Sequence, residues 1–266
     1  MQLNFDDRLF HRHYARKLGK KPAIHDPKTV KLGPLLEKHL AVVPAAASYA
    51  DENTKFPMWL NDSLGCCTQV SVASAIYIMT LNAQAPVLLG VNDVLVNYET
   101  SGYDPTKVDA DGNNPTDEGD NEVAVLNRWV TAGYQRPGQT RDYLTGYGYV
   151  NPKNHDNAKR AIALCGGLYT GLALPKTALA DGDWVVVPNA VIAGGHAVYV
   201  HGYDADWLYL NTWGERRRMS WGFFDTYCDE AYGLLSRENW LGVHGITPMG
   251  EAFVALSDEL AAAMAG

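Results

Sequence analysis

The sequence predicts an α+β fold on three observations. After a polar turn ending at Gly65, the apolar residues Val72, Ala73, Ala75, Ile76 and Met79 recur at three- and four-residue spacing, the stripe of a buried helix. A second apolar face, Val123, Val125, Leu126, Trp129 and Val130, follows a helix start near Asn121. Beyond a short helical stretch at 157–164, the second half turns to strand patterns: residues 168–174, a short buried strand at 184–187, and a hairpin. In that hairpin residues 194–203 and 207–214 flank a turn at Asp204-Ala205-Asp206.

The 266 residues suffice for one large domain or two subdomains with a sizeable core. A net charge of −8 argues against a nucleic-acid binder. No apolar run reaches the length needed to cross a bilayer, and the N-terminus lacks a charged region followed by an apolar one and a cleavage site. The expected location is therefore cytoplasmic or virion-associated, with no membrane partner. Four cysteines, at 66, 67, 165 and 228, do not make a disulfide framework in a chain of this length. Cys165 and Cys228 read as small core residues. Neither a Cys-x-x-Cys nor a His-x-x-x-His pair accompanies them, so no metal and no cofactor is expected.

Cys66 and Cys67 stand where the first helix begins. Unpaired backbone N–H groups and the positive end of the helix dipole favour an anion there, which biases a thiol toward its nucleophilic form. Far downstream, His196 opens the hairpin and Asn211 sits near its other end. Counted from the turn, Asn211 falls about three residues short of facing His196, roughly 10 Å along a strand. His201, five residues beyond His196, points to the opposite face and reads as structural.

At these residues the chain resembles the papain-like cysteine peptidases, as a divergent member such as a phage or bacterial chain. Asn61, Gly65, Cys67, His196-Ala197-Val198 and Asn211-Thr212-Trp213-Gly214 occupy the positions of that family's motifs, over about residues 55–245. The resemblance selects Cys67 over Cys66. It implies a helical subdomain, whose central helix starts at the nucleophile, packed against an antiparallel β-barrel-like subdomain. It also implies a catalytic triad of Cys67, His196 and Asn211, and an oxyanion site formed by the Cys67 N–H and the Asn61 amide. Gly65, Cys66, Gly195, Trp213 and Gly214 would line the cleft for a peptide or protein substrate. Asn61 is one methylene shorter than the family's glutamine, and Thr68 replaces its usual tryptophan.

The expected organisation is an extended N-terminal arm over 1–54, a core over 55–245 and a helical tail over 246–266. The core divides into a helical half at about 55–135 and a β half at about 136–245. Prolines at 22, 27, 34 and 44 break any long helix in the arm, which gathers Arg8, His11, Arg12, His13, Arg16, Lys17, Lys20 and Lys21. The acidic loop 104–122 fails the pattern of a calcium loop, since Asn114 and Asp120 stand where glycine and glutamate are required. By the resemblance this loop borders the cleft, where its acidity would favour basic substrates. Arg216-Arg217-Arg218 reads as a solvated charge run rather than an anion site. The tail carries Phe253, Leu256, Leu260 and Met264 on one face, to pack on its own domain or on a partner in an assembly. The sequence thus predicts a cysteine peptidase-like hydrolase. The alternatives are a papain-fold structural or binding component of a viral particle or other assembly, and a protein deamidase or acyltransferase using the same three residues.

Overall fold

The computed structural model describes residues 16–241 and 250–265. Arg8, His11, Arg12 and His13 therefore lie outside the described residues. The chain enters as an extended segment with one short helix, α1 (Gly33–His39), whose first turn holds Pro34, and a two-residue strand β1 (Ala47–Ser48). Three helices follow, α2 (Cys67–Asn82), α3 (Val91–Glu99) and α4 (Glu122–Thr131), then the paired short strands β2 (Tyr134–Gln135) and β3 (Arg141–Asp142). The sheet half contains β4 (Gly146–Tyr149), α5 (His155–Cys165), β5 (Leu168–Pro175), β6 (Ile192–Tyr203), β7 (Trp207–Thr212), β8 (Glu215–Ser220), α6 (Trp221–Tyr227), β9 (Cys228–Leu235) and α7 (Arg237–Trp240). Helix α8 (Glu251–Ala265) ends the described chain.

Helix α2 is buried on all sides rather than along one stripe. It packs on β5 and β6 on one flank and on α3, α4 and α7 elsewhere. Ser71 donates to the Cys67 carbonyl at 2.9 Å and Ser74 to that of Val70 at 2.8 Å, which offsets the desolvation of these two hydroxyls, whereas the buried Thr68 hydroxyl has no partner.

The sheet runs β4-β9-β5-β6-β7-β8, with β1 added to the end of β6, and these strands all pair antiparallel. It does not close into the expected barrel. Its two outer strands are each capped by a short segment instead of by each other. At β4, Leu32 N–H donates to the Tyr149 carbonyl and Tyr149 N–H to the Val30 carbonyl, each at 2.8 Å, and Trp184 bridges Arg218 and Ser220 on β8 at 2.9 Å each. That bridge is all that the expected strand at 184–187 forms. Trp184 is buried, but Val185, Val186 and Val187 are exposed.

The apolar face of α8 is largely covered by the chain itself: Phe253, Leu256 and Leu260 are buried against the body, while Met264 is exposed. Ion pairs from Lys38 and His39 to Glu259, and from Arg237 to Asp258, hold its outer side. Among the described residues, no helix is long and apolar enough to cross a membrane.

Candidate active site

Two features bring the site residues together. The N-terminal end of α2 abuts the middle of β6, so that Cys67 Sγ lies 3.5 Å from the backbone nitrogen of Ala197, the neighbour of His196. Hairpin register then sets what faces His196. Tyr199 pairs with Asn211, and side chains alternate across a strand, so Asn211 shares the face of Tyr199 and not that of His196, an odd three residues away. Thr212, next along, falls on the His196 face, and His196 Nε2 lies 2.7 Å from Thr212 Oγ1. The Asn211 amide instead donates to Ser74 Oγ on α2 at 2.7 Å. The histidine's hydrogen-bonded partner is therefore Thr212, a correction to the expected Asn211.

The Trp213 ring stacks on His196, with centroids 4.5 Å apart and planes at 18°, and the guanidinium groups of Arg16 and Arg217 lie over the Trp213 ring at 4.9 and 5.6 Å. Trp213 thus covers one face of the imidazole and takes a left-handed backbone, φ 49°, as does Gly214 at φ 71°. Asn61 follows two more left-handed residues, Trp59 and Leu60, at φ 50° and 62°. Both atoms of its buried side-chain amide have no hydrogen-bond partner. An unpartnered buried amide carries a desolvation cost that binding a ligand there would offset.

Of the remaining expected cleft residues, Gly65 lies against Gly19 and Gly195 against Lys20, and Gly65 N–H is anchored by Asp117 Oδ1 at 2.8 Å. Cys66 is not in the groove. Its thiol is buried in the core and directed at the Trp59 carbonyl, 3.6 Å away, and burial pushes its pKa far above the ordinary thiol value. The acidic loop holds this wall. Asp117 also accepts from Tyr98 OH at 2.6 Å and from Lys17, and Asp120 pairs with Arg128. No cluster of metal-ligating side chains occurs among the described residues.

The groove is filled by the chain's own residues 16–21, which pass directly over Cys67; the sequence showed only a cluster of basic residues there. As a result Cys67 and His196 are both buried and both neutral. Burial raises the Cys67 thiol to about 11, against the partial relief of N–H groups from Ala197 and Gly19. Burial, and then the charge of Arg217, push His196 down to about 3. The thiolate bias expected from the helix start is outweighed by loss of water, because the dipole is worth about 0.3–1 kcal/mol and desolvating an ion costs more. His201 packs on Phe56 with centroids 5.9 Å apart and is likewise lowered to about 3 by burial.

A pH dependence follows. A histidine at 6.5 unfolded and about 3 folded takes up its proton only on unfolding, so its neutral-state stability is complete above pH 6.5 and is lost as pH falls toward 3. The loss per histidine reaches about 1.4 kcal/mol per pH unit. Urea midpoints should drop between about pH 7 and about pH 5, and His201→Phe should shrink that drop. An unchanged drop in the variant would place the acid sensitivity in other groups.

Arg216-Arg217-Arg218, on β8, are neither free nor clustered on an anion. Arg217 is buried against Glu215 at 2.8 Å, Arg218 pairs with Asp183 at 2.6 Å, and Arg216 lies over the Tyr209 ring at 4.5 Å.

No protein-family model and no curated protein sequence matches this chain. Its backbone, however, superposes on cysteine proteases. Xylellain, a cysteine protease from Xylella fastidiosa, matches with a TM-score of 0.63 at 16% identity over 84% of this chain and 97% of that one. The cysteine protease and lectin-like domains of Cwp84 from Clostridium difficile match at 0.59 and 16% identity, over 83% of this chain and 56% of that one. Procathepsin B S9 from Trypanosoma congolense matches at 0.55 and 13%, over 85% and 87%. The chain thus has the fold of the papain-like cysteine proteases.

Proposed function

We propose that the chain is a cysteine peptidase-like hydrolase acting on peptide or amide bonds through a thioester on Cys67. The observation that carries this reading is the junction of α2 with β6, which sets Cys67 Sγ beside the His196 strand. Once a substrate replaces residues 16–21, His196 Nδ1, unpartnered in the filled groove, is the nitrogen left to take the thiol proton. Thr212 Oγ1 on the other ring nitrogen fixes the tautomer and ring plane, with Trp213 holding the ring from its face. The thiolate attacks the carbonyl carbon, and the Cys67 N–H with the Asn61 amide stabilises the oxyanion. Such a donor is worth about 3 kcal/mol. His196 returns the proton to the leaving amine, and water then hydrolyses the thioester.

The test is a peptide-library digestion by the full chain, with peptides up to millimolar concentration, beside the Cys67→Ala variant. New amino termini that appear with wild type and vanish in the variant are the expected result. Equal product, or none from either, counts against hydrolysis and leaves the fold to a binding or structural role.

A further inference from the structure

Residues 16–21 lie in the groove as a peptide would. Lys20 N–H donates to the Gly195 carbonyl at 3.1 Å, Lys21 N–H to the Asp120 carbonyl at 2.8 Å, and the Gly19 carbonyl accepts from Asp120 N–H at 2.9 Å. Lys20 thus pairs with Asp120 in parallel. The groove is cut for bare backbone. A Cβ at Gly195 would stand 2.1 Å from the Lys20 carbonyl oxygen, and one at Gly119 1.8 Å from that of Gly19. A Cβ at Gly19 would itself stand 1.9 Å from the Gly65 carbonyl oxygen. No side chain fits at any of these positions without a shift.

The Lys20 side chain turns inward and is 1% exposed. Its Nζ lies 2.9 Å from Asp229 Oδ2 and 2.9 Å from Glu230 Oε1. Glu122 is fully buried beside them with neither carboxylate oxygen hydrogen-bonded, and it interacts electrostatically with both Lys20 and Glu230. Burial alone would pull Lys20 down, yet the surrounding acids raise it above 10.5, so it stays charged. The pocket wall is Gly171, where a Cβ would come within 2.1 Å of Lys20 Cε and 2.7 Å of Glu230 Cγ. Three carboxyl groups face one ammonium, and the wall is pared to admit its methylene stem. Elsewhere the segment is held by ion pairs of Arg16 to Asp181 and Glu215, Lys17 to Asp117 and Lys21 to Glu118.

We propose that Glu122, Gly171, Asp229 and Glu230 form a subsite for the lysine side chain of an incoming peptide in which glycine precedes that lysine, and that Lys20 holds this subsite in competition with it. The chain's own segment is not set up for attack. Gly19 turns its N–H to Cys67 Sγ, and its carbonyl oxygen is taken by Asp120, away from the Asn61 amide. That the incoming peptide is a substrate rests on the function proposed above; that the subsite binds lysine does not.

The rate at which a small thiol reagent alkylates Cys67 reads occupancy of the groove without any need for cleavage. In the full chain, Lys20→Ala should speed alkylation by roughly tenfold or more, since removing one partner of a buried ion pair is strongly unfavourable to the bound state. A synthetic hexapeptide of residues 16–21 should then slow it again at millimolar concentration. The same hexapeptide with leucine in place of the lysine corresponding to Lys20 should not. Asp229→Asn, at the pocket's partly exposed edge, is the second variant should Lys20→Ala fold poorly, and it too should speed alkylation. Wild-type rates in both variants, or equal protection by the two hexapeptides, overturns the proposal. Selective protection without any Cys67-dependent cleavage would keep the subsite and remove the peptidase reading.

Discussion

In the His196→Ala variant, Cys67-dependent peptide hydrolysis falls by about 10²–10⁴, the loss typical of removing a positioned proton-transfer group. The N–H of Ala197, the neighbour of His196, lies 3.5 Å from Cys67 Sγ, so the histidine belongs to the strand segment that meets the thiol. Graded partners separate its supports. Thr212→Val leaves the buried Nε2 without its 2.7 Å contact, a cost of about 1–3 kcal/mol, and should lower kcat by roughly 5- to 150-fold with little change in KM. Asn211→Ala removes a bond to Ser74 at 2.7 Å on the opposite face and should lower unfolding stability by about 0.5–1.5 kcal/mol while sparing kcat. Steady-state kinetics with urea unfolding on the three variants checks the order. A larger kcat loss in Asn211→Ala than in Thr212→Val would return the orienting role to Asn211.

The largest stability effect is expected at Trp59. Its indole is buried, donates to the Leu89 carbonyl at 2.9 Å, and its own carbonyl receives the Cys66 thiol at 3.6 Å. It also sits at φ 50°, the first of the two left-handed residues that deliver Asn61 to the site. Trp59→Ala should cost about 3–5 kcal/mol through the cavity it leaves, and alanine gains nothing at that backbone angle. The check is the urea midpoint together with Cys66 alkylation under native conditions, which should become measurable once its cover is gone. A loss under about 1 kcal/mol would mean that neighbouring side chains collapse into the space.

Much of the site was legible in the sequence because it is written locally. The polar turn at Gly65 and the apolar spacing after it place Cys67 at a helix start, and the hairpin around Asp204-Ala205-Asp206 places His196 on one strand and Thr212 on the next. The choice of Thr212 over Asn211 was not legible. The β6–β7 pairing shifts register between Val200 and Gly202, so that Tyr199 and not Val200 faces Asn211, and no pattern in the sequence marks that bulge.

What the sequence by itself determined, then, is the placement of Cys67 at a helix start, of His196 on a hairpin strand, and the α+β order of elements, since each depends on residues within one helix or one hairpin. Only the tertiary structure decided that the sheet stays open, that the thiol and imidazole are neutral, and that Lys20 lies in an acidic pocket. A sheet edge can be capped by any passing segment, and the charge of a buried group depends on the water that distant segments exclude. The pocket joins Lys20 to Glu122, Gly171, Asp229 and Glu230, five positions scattered over the chain, and no periodicity along a sequence encodes which charges will meet when water is gone.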